Sequence, residues 1–123
     1  MEPKTIETLY GLGHWLLSQE RPGDAKEAFH LMLLVAPDDE RAWLGLGVCH
    51  EKRGDKQTAL TIYEMSLRAL RVAPRCALAR ARMLRALDDE VAAEEAYEAA
   101  IDAADRAGEV DLEQLARCEK AAA

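Results

Sequence analysis

The sequence predicts an all-α fold of three consecutive helix-turn-helix repeats closed by a C-terminal helix. Three observations predict it. Half of the 123 residues are hydrophobic but only 5% are aromatic, and Ala and Leu dominate over 7 Gly and 4 Pro, the profile of closely approaching helices. Phe29, Tyr63 and Tyr97 recur at a spacing of 34 residues, each with an alanine four positions before it (Ala25, Ala59, Ala93) and Leu33, Leu67 or Ile101 four positions after it. Breakers fall where such repeats should turn: Arg21-Pro22-Gly23-Asp24, Pro37, Gly54-Asp55, Pro74 and Gly108.

The elements follow in order. The first repeat covers about residues 6–39, the second about 40–73 and the third about 74–107. Each has a first helix A and a second helix B. Leu12-Gly13 on helix A recurs as Leu46-Gly47 and, more loosely, as Arg80-Ala81. The small residue of helix A (Gly13, Gly47, Ala81) is expected to face the small residue of helix B, letting the two helices approach closely. The helix B aromatic then fills the gap to the next repeat. Asp88-Asp89 offers N-cap candidates for the third helix B. A last helix over about 110–121 places Leu112, Leu115 and Ala116 on one face and Asp111, Glu113, Glu119 and Lys120 elsewhere, which suits a cap on a stack of repeats.

A 34-residue period with small and aromatic columns resembles the tetratricopeptide repeat, and Trp43 stands where that motif usually carries its tryptophan. The resemblance implies a single domain over 1–123, a right-handed superhelical α-α array with the A helices lining a concave face.

Composition bounds the function. No apolar run approaches the ~20 residues needed to cross a bilayer, and the N-terminal stretch lacks a signal-peptide core, so a cytoplasmic protein without membrane insertion is expected. Cys49, Cys76 and Cys118 are far apart and form no CxxC pair, so they read as small apolar fillers. The net charge of −7 argues against nucleic acid as a partner. The charge is uneven, however: residues 41–86 hold 10 basic against 3 acidic side chains, and residues 87–123 hold 3 against 12. His14, His30 and His50 sit on separate helices, and a His14–His50 pair finds no third ligand of matching position. With no HExxH motif, phosphate loop or dinucleotide fingerprint, neither catalysis, nor a metal, nor a cofactor is expected.

The helix A positions between the packing columns are the candidates for a peptide-binding groove. They are Tyr10, His14 and Leu17 (with Glu7 beside them) in the first repeat, Arg41, Leu44, Val48 and Glu51 in the second, and Arg75, Leu78, Arg82 and Arg85 in the third. Tyr10, Leu17, Leu44, Val48 and Leu78 would make an apolar strip suited to a protein or peptide client, or else pack under neighbouring helices. An exposed strip also favours self-association, which leaves a homodimer open. Arg82 and Arg85 would meet either acids of the C-terminal third or acidic groups of the client. Arg80 replaces the leucine of its column and needs a carboxylate, expected in the last helix or at Glu94 and Glu95.

Leu44-Gly45-Leu46-Gly47-Val48-Cys49-His50, with Gly54-Asp55 and Ala59-Leu60-Thr61-Ile62-Tyr63, resembles the second repeat of bacterial type III secretion chaperones for translocators. Leu9-Tyr10-Gly11-Leu12 and Ala93-Glu94-Glu95-Ala96-Tyr97 are similar to their first and third repeats. This resemblance implies a cytosolic, non-enzymatic chaperone that holds an apolar segment of a translocator or other early export substrate before export. Read by position, its anchor pockets would involve Tyr10, Leu17, Leu44, Val48 and Leu78. A general adaptor built from the same repeats, bridging proteins in another bacterial assembly, is the alternative.

Overall fold

The computed structural model describes residues 2–122, and those residues form seven α-helices and no strand. They are α1 (Pro3–Ser18), α2 (Pro22–Val35), α3 (Glu40–Lys52), α4 (Lys56–Ala69), α5 (Pro74–Ala86), α6 (Glu90–Arg106) and α7 (Val110–Ala121). Helix pairs α1/α2, α3/α4 and α5/α6 are the three expected repeats, and α7 is the closing helix.

Local chemistry sets the boundaries. Proline opens α1, α2 and α5, where its missing N–H costs nothing and its fixed φ suits the first turn. Pro22 and Pro74 therefore begin helices, a correction to their reading as breakers. Asp39, Asp55 and Asp89 take over at α3, α4 and α6, each carboxylate accepting from a backbone N–H of the first turn: that of Arg41, Thr58 and Ala92. The A helices all end on a left-handed residue, Glu20 (φ 57°), Gly54 (φ 81°) and Asp88 (φ 62°), one repeat length apart. Asp88 is thus a helix stop and Asp89 alone is the cap.

The chain divides into two compact units, with the boundary between Ile62 and Tyr63, inside α4. In the first unit, α2 packs against α1 and α3. Its core is Leu16, Ala25, Phe29, Met32, Ala42, Leu46 and Cys49, with Ile6, Leu9, Tyr10, Leu17, Leu33 and Ile62 packed around it. Phe29 is the centre of that core. A Cβ on Gly13 would lie 2.7 Å from its ring, and one on Gly45 would overlap it outright. Glycine on α1 and on α3 thus lets one aromatic ring from α2 touch both backbones. The expected facing of Gly13 onto Ala25 gives way to Gly13 onto Phe29.

In the second unit α6 packs against α5 and α7. Ala77, Ala81 and Leu84 on α5 and Ala93, Ala96, Tyr97 and Ala100 on α6 are all buried. In both units the fully buried residue lies three, not four, places after the aromatic: Met32, Ser66 and Ala100 are buried, while Leu33, Leu67 and Ile101 are half-buried. Ser66 meets its burial by donating to the Tyr63 carbonyl at 2.6 Å. Leu12 differs from its counterpart Leu46, being 46% exposed against 5%.

Candidate functional site

In the first unit the candidate residues lie on α1 and α3, which touch each other. Tyr10, Leu17, Leu44 and Val48 are half-buried and His14 is exposed. Tyr10 and Leu17 pack on the Phe29 core with one part of their surface and leave the rest open, so they serve both packing and face. The Tyr10 ring meets Phe29 edge-on at 6.5 Å between centroids and lies 5.9 Å from the His14 ring. The Arg41 guanidinium stands 4.5 Å from the Tyr10 centroid.

Arg41 is tied down by two carboxylates. Its Nη1 and Nη2 donate to Glu7 at 3.0 and 2.8 Å, and its Nε and Nη2 donate to Asp39 at 3.1 and 2.8 Å. The hydrogen bonds from Arg41 hold both the Glu7 and the Asp39 carboxyls below their ordinary ranges, and the two acids raise the arginine further. The Arg41 charge is therefore more than balanced beside Tyr10, the triad of one guanidinium and two carboxylates carrying a net −1. This end of the first unit offers an aromatic surface, not a bare positive charge. Glu51, on the last turn of α3, is half-buried. Neighbouring Cys49 is fully buried, and desolvation pushes its thiol up to about 11, which makes it inert filler. Trp43 turns its indole N–H to the Pro37 carbonyl at 2.9 Å and so ties α3 to the preceding loop.

In the second unit the candidates lie on α5, and the structure separates them. Leu78 is 2% exposed and belongs to the core, a correction to its place in the apolar strip. The α5 face it occupies is covered, so its side chain has no open surface to offer a client. Arg75 and Arg82 remain exposed and Arg85 is half-buried, each held by an acid or carbonyl of α7 or the turn before it. Arg75 pairs with Glu109. The Arg82 Nε donates to Glu119 at 2.7 Å, and its Nη2 makes a second, shorter bond to the same carboxylate. Arg85 donates to the Glu119 carbonyl at 2.7 Å and lies 4.5 Å above the Tyr97 ring. The Tyr97 hydroxyl also reaches Glu119, at 3.3 Å. Hydrogen bonding from Arg82 lowers the Glu119 carboxyl below its ordinary value, while burial, with Glu119 adding to it, raises the Tyr97 phenol. Of the two readings of the arginines, the internal charge network is the one present in the structure. Arg80 does not turn to the last helix or to Glu94 and Glu95. It pairs with Glu64 at 3.2 Å, because α4 and not α6 carries the nearest acid.

Sequence reasoning missed Glu109, Asp39 and the central role of Glu119. The signal was present in the period itself. Glu7 and Arg41, Arg75 and Glu109, and Arg85 and Glu119 are each 34 residues apart. The register of the A helices runs on into α7, which is the A helix of a further half-repeat. Among the described residues no three His, Cys, Asp or Glu side chains gather to hold a metal, and no helix is long and apolar enough to cross a membrane.

These alternating small and aromatic columns define the class: residues 10–74 match the tetratricopeptide repeat family model, and the chain belongs to that family. Among solved structures, PcrH from Pseudomonas aeruginosa is similar over 96% of this chain and 90% of its own, with 26% identity and a TM-score of 0.84. PcrH bound to the chaperone binding region of PopB is similar over 96% of each chain, with 26% identity and a TM-score of 0.83. The type III secretion translocator chaperone SycD of Yersinia enterocolitica shares the fold, at 20% identity over 95% of this chain and 91% of its own, with a TM-score of 0.80. In sequence, the cell division cycle protein 27 homolog of Caenorhabditis elegans is 46% identical over 50 residues, 41% of this chain and only 6% of that protein's length.

Proposed function

We propose that this protein is a cytoplasmic, non-enzymatic chaperone of a type III secretion system. In this reading the helix A faces hold an apolar segment of a translocator or other early export substrate before export. The observation that carries it is the likeness to PcrH, a protein solved with the chaperone binding regions of PopB and PopD, over 96% or more of this chain. The half-buried Tyr10, Leu17, Leu44 and Val48 support it, because they give the first unit a row of apolar side chains flanked by polar ones. Arg75, Arg82 and Arg85 are the polar contribution of α5, with His14, Arg41 and Glu51 as polar neighbours on α1 and α3. Client-free protein is expected to self-associate through exposed apolar surface, and a light-scattering concentration series tests that.

Co-expression with secretion substrates encoded nearby should yield a stable, purifiable complex. Leu44→Glu combined with Val48→Glu should abolish it while the variant keeps its helical circular dichroism. A complex that survives both charges places the client elsewhere. The local match to a eukaryotic protein favours a second reading, a general repeat adaptor in another assembly. Capture of a non-secreted partner, with no binding to any secretion substrate, would select it.

A further inference from the structure

Glu119 occupies an unusual position. It lies in the last turn of α7, where a negative charge opposes the helix dipole, so its own helix gains nothing from it. Its carboxylate instead accepts both bonds from Arg82 and one from the Tyr97 hydroxyl, while its carbonyl takes Arg85. The Arg82 side chain is still 46% exposed, so a second carboxylate can reach it from solvent without any movement of α5. The Arg85 Nε is buried and makes no hydrogen bond, with the Glu90 carboxylate 3.7 Å away. Of the two guanidinium groups in the cluster, Arg82 is therefore the one that solvent reaches more readily.

The helix carrying Glu119 packs on α6 but buries few of its own side chains completely. Only Ala116 of α7 is fully buried, and Val110 and Leu115 are largely exposed. Leu112 is half-buried, and ion pairs add to the contact with α6, Arg75 to Glu109 and Lys120 to Glu94 and Glu98, exposed pairs being individually weak. A helix held in this way can loosen without disturbing the α5/α6 core.

We propose that the Glu119 carboxylate is a built-in stand-in for a client carboxylate, holding Arg82 in the client-free protein and ceding it to an acidic side chain of the bound segment. The inference rests on the helix A faces being the client surface. It adds that the client segment carries an acidic residue, and that its arrival loosens α7.

Two fluorescein-labelled synthetic peptides of equal length test it, one of alternating Leu and Ser and one with two terminal Ser replaced by Glu. Glu119→Gln should bind the acidic peptide about tenfold tighter than the unaltered protein, with the neutral peptide unchanged. Arg82→Gln breaks the same pair but removes the cation, and should show no gain. Hydrogen exchange in α7 of the unaltered protein, which needs no variant, should quicken with the acidic peptide and not with the neutral one. Equal affinity of Glu119→Gln and the unaltered protein for the acidic peptide overturns the proposal, as does an equal gain in Arg82→Gln or unchanged exchange in α7. If the neutral peptide binds and Leu44→Glu abolishes that binding, the groove reading stands whatever becomes of Glu119. If neither peptide binds any form, both readings fall.

Discussion

The ring of Phe29 rests directly on the backbone of Gly45, so that any side chain at residue 45 would occupy the space of the ring carbons. Phe29 is 1% exposed and fixed on its other side by Gly13, so it cannot swing away. Gly45→Ala should therefore cost about 1–3 kcal/mol, the usual range for overpacking a filled core. Phe29→Leu in the same chain should recover part of that loss. Urea titrations of the two single variants and the double variant measure the coupling. Additive losses would mean the two residues do not share the space.

The left-handed column gives an ordered prediction. Gly54 adopts φ 81° without a side-chain penalty, whereas Glu20 and Asp88 adopt 57° and 62° with one. Gly54→Ala should destabilise by about 1 kcal/mol. Glu20→Gly should stabilise by about 0.5 kcal/mol, and Asp88→Gly by less, since aspartate tolerates this region better than glutamate. Thermal melts of the three variants check the order.

Asp39 caps α3 and holds Arg41, so Asp39→Ala should cost about 1 kcal/mol near neutral pH. The bond from Arg41 lowers the Asp39 carboxyl from its ordinary 3.8. A carboxyl depressed on folding contributes stability that is present above its unfolded value and is lost as pH falls through the folded one. The gap between the unaltered protein and the variant should therefore hold above pH 3.8 and close below it. Urea midpoints between neutral pH and strong acid follow this. A gap that persists in strong acid would assign the effect to something other than the ionised carboxylate.

The thiols should separate by burial. Cys118 is exposed on α7, while Cys49 and Cys76 are fully buried. Under native conditions a thiol reagent should label one cysteine per chain rapidly, and the remaining two only on unfolding. Peptide mapping identifies the first site. Fast labelling of Cys49 would show that α3 opens on its own.

Much of this was readable from spacing alone. A period of 34 residues in several columns at once can be kept only if each repeat buries the same positions, so the helix count, the order of helices and the central aromatics followed from the sequence. The tetratricopeptide family and the likeness to secretion chaperones were legible for the same reason, since Leu44 to Tyr63 carries both the general columns and the local resemblance. Less legible was what lies beside each column. Helical periodicity gives a direction around the axis, but it cannot tell a half-covered position from a covered one, and so Leu78 read as groove when it is core.

The repeating backbone is fixed locally, because spacing, prolines and acidic caps act within a few residues of one another. Tertiary structure alone decided where the charges go. Arg80 met Glu64 and not the last helix, Arg82 and Arg85 closed on Glu119, and Arg41 was paired with Glu7 and Asp39. An arginine side chain reaches several acids from one backbone position, and which one it takes depends on the packing of whole helices. Of the two partners the sequence left open for Arg82, the folded chain supplies the internal one, the Glu119 carboxylate.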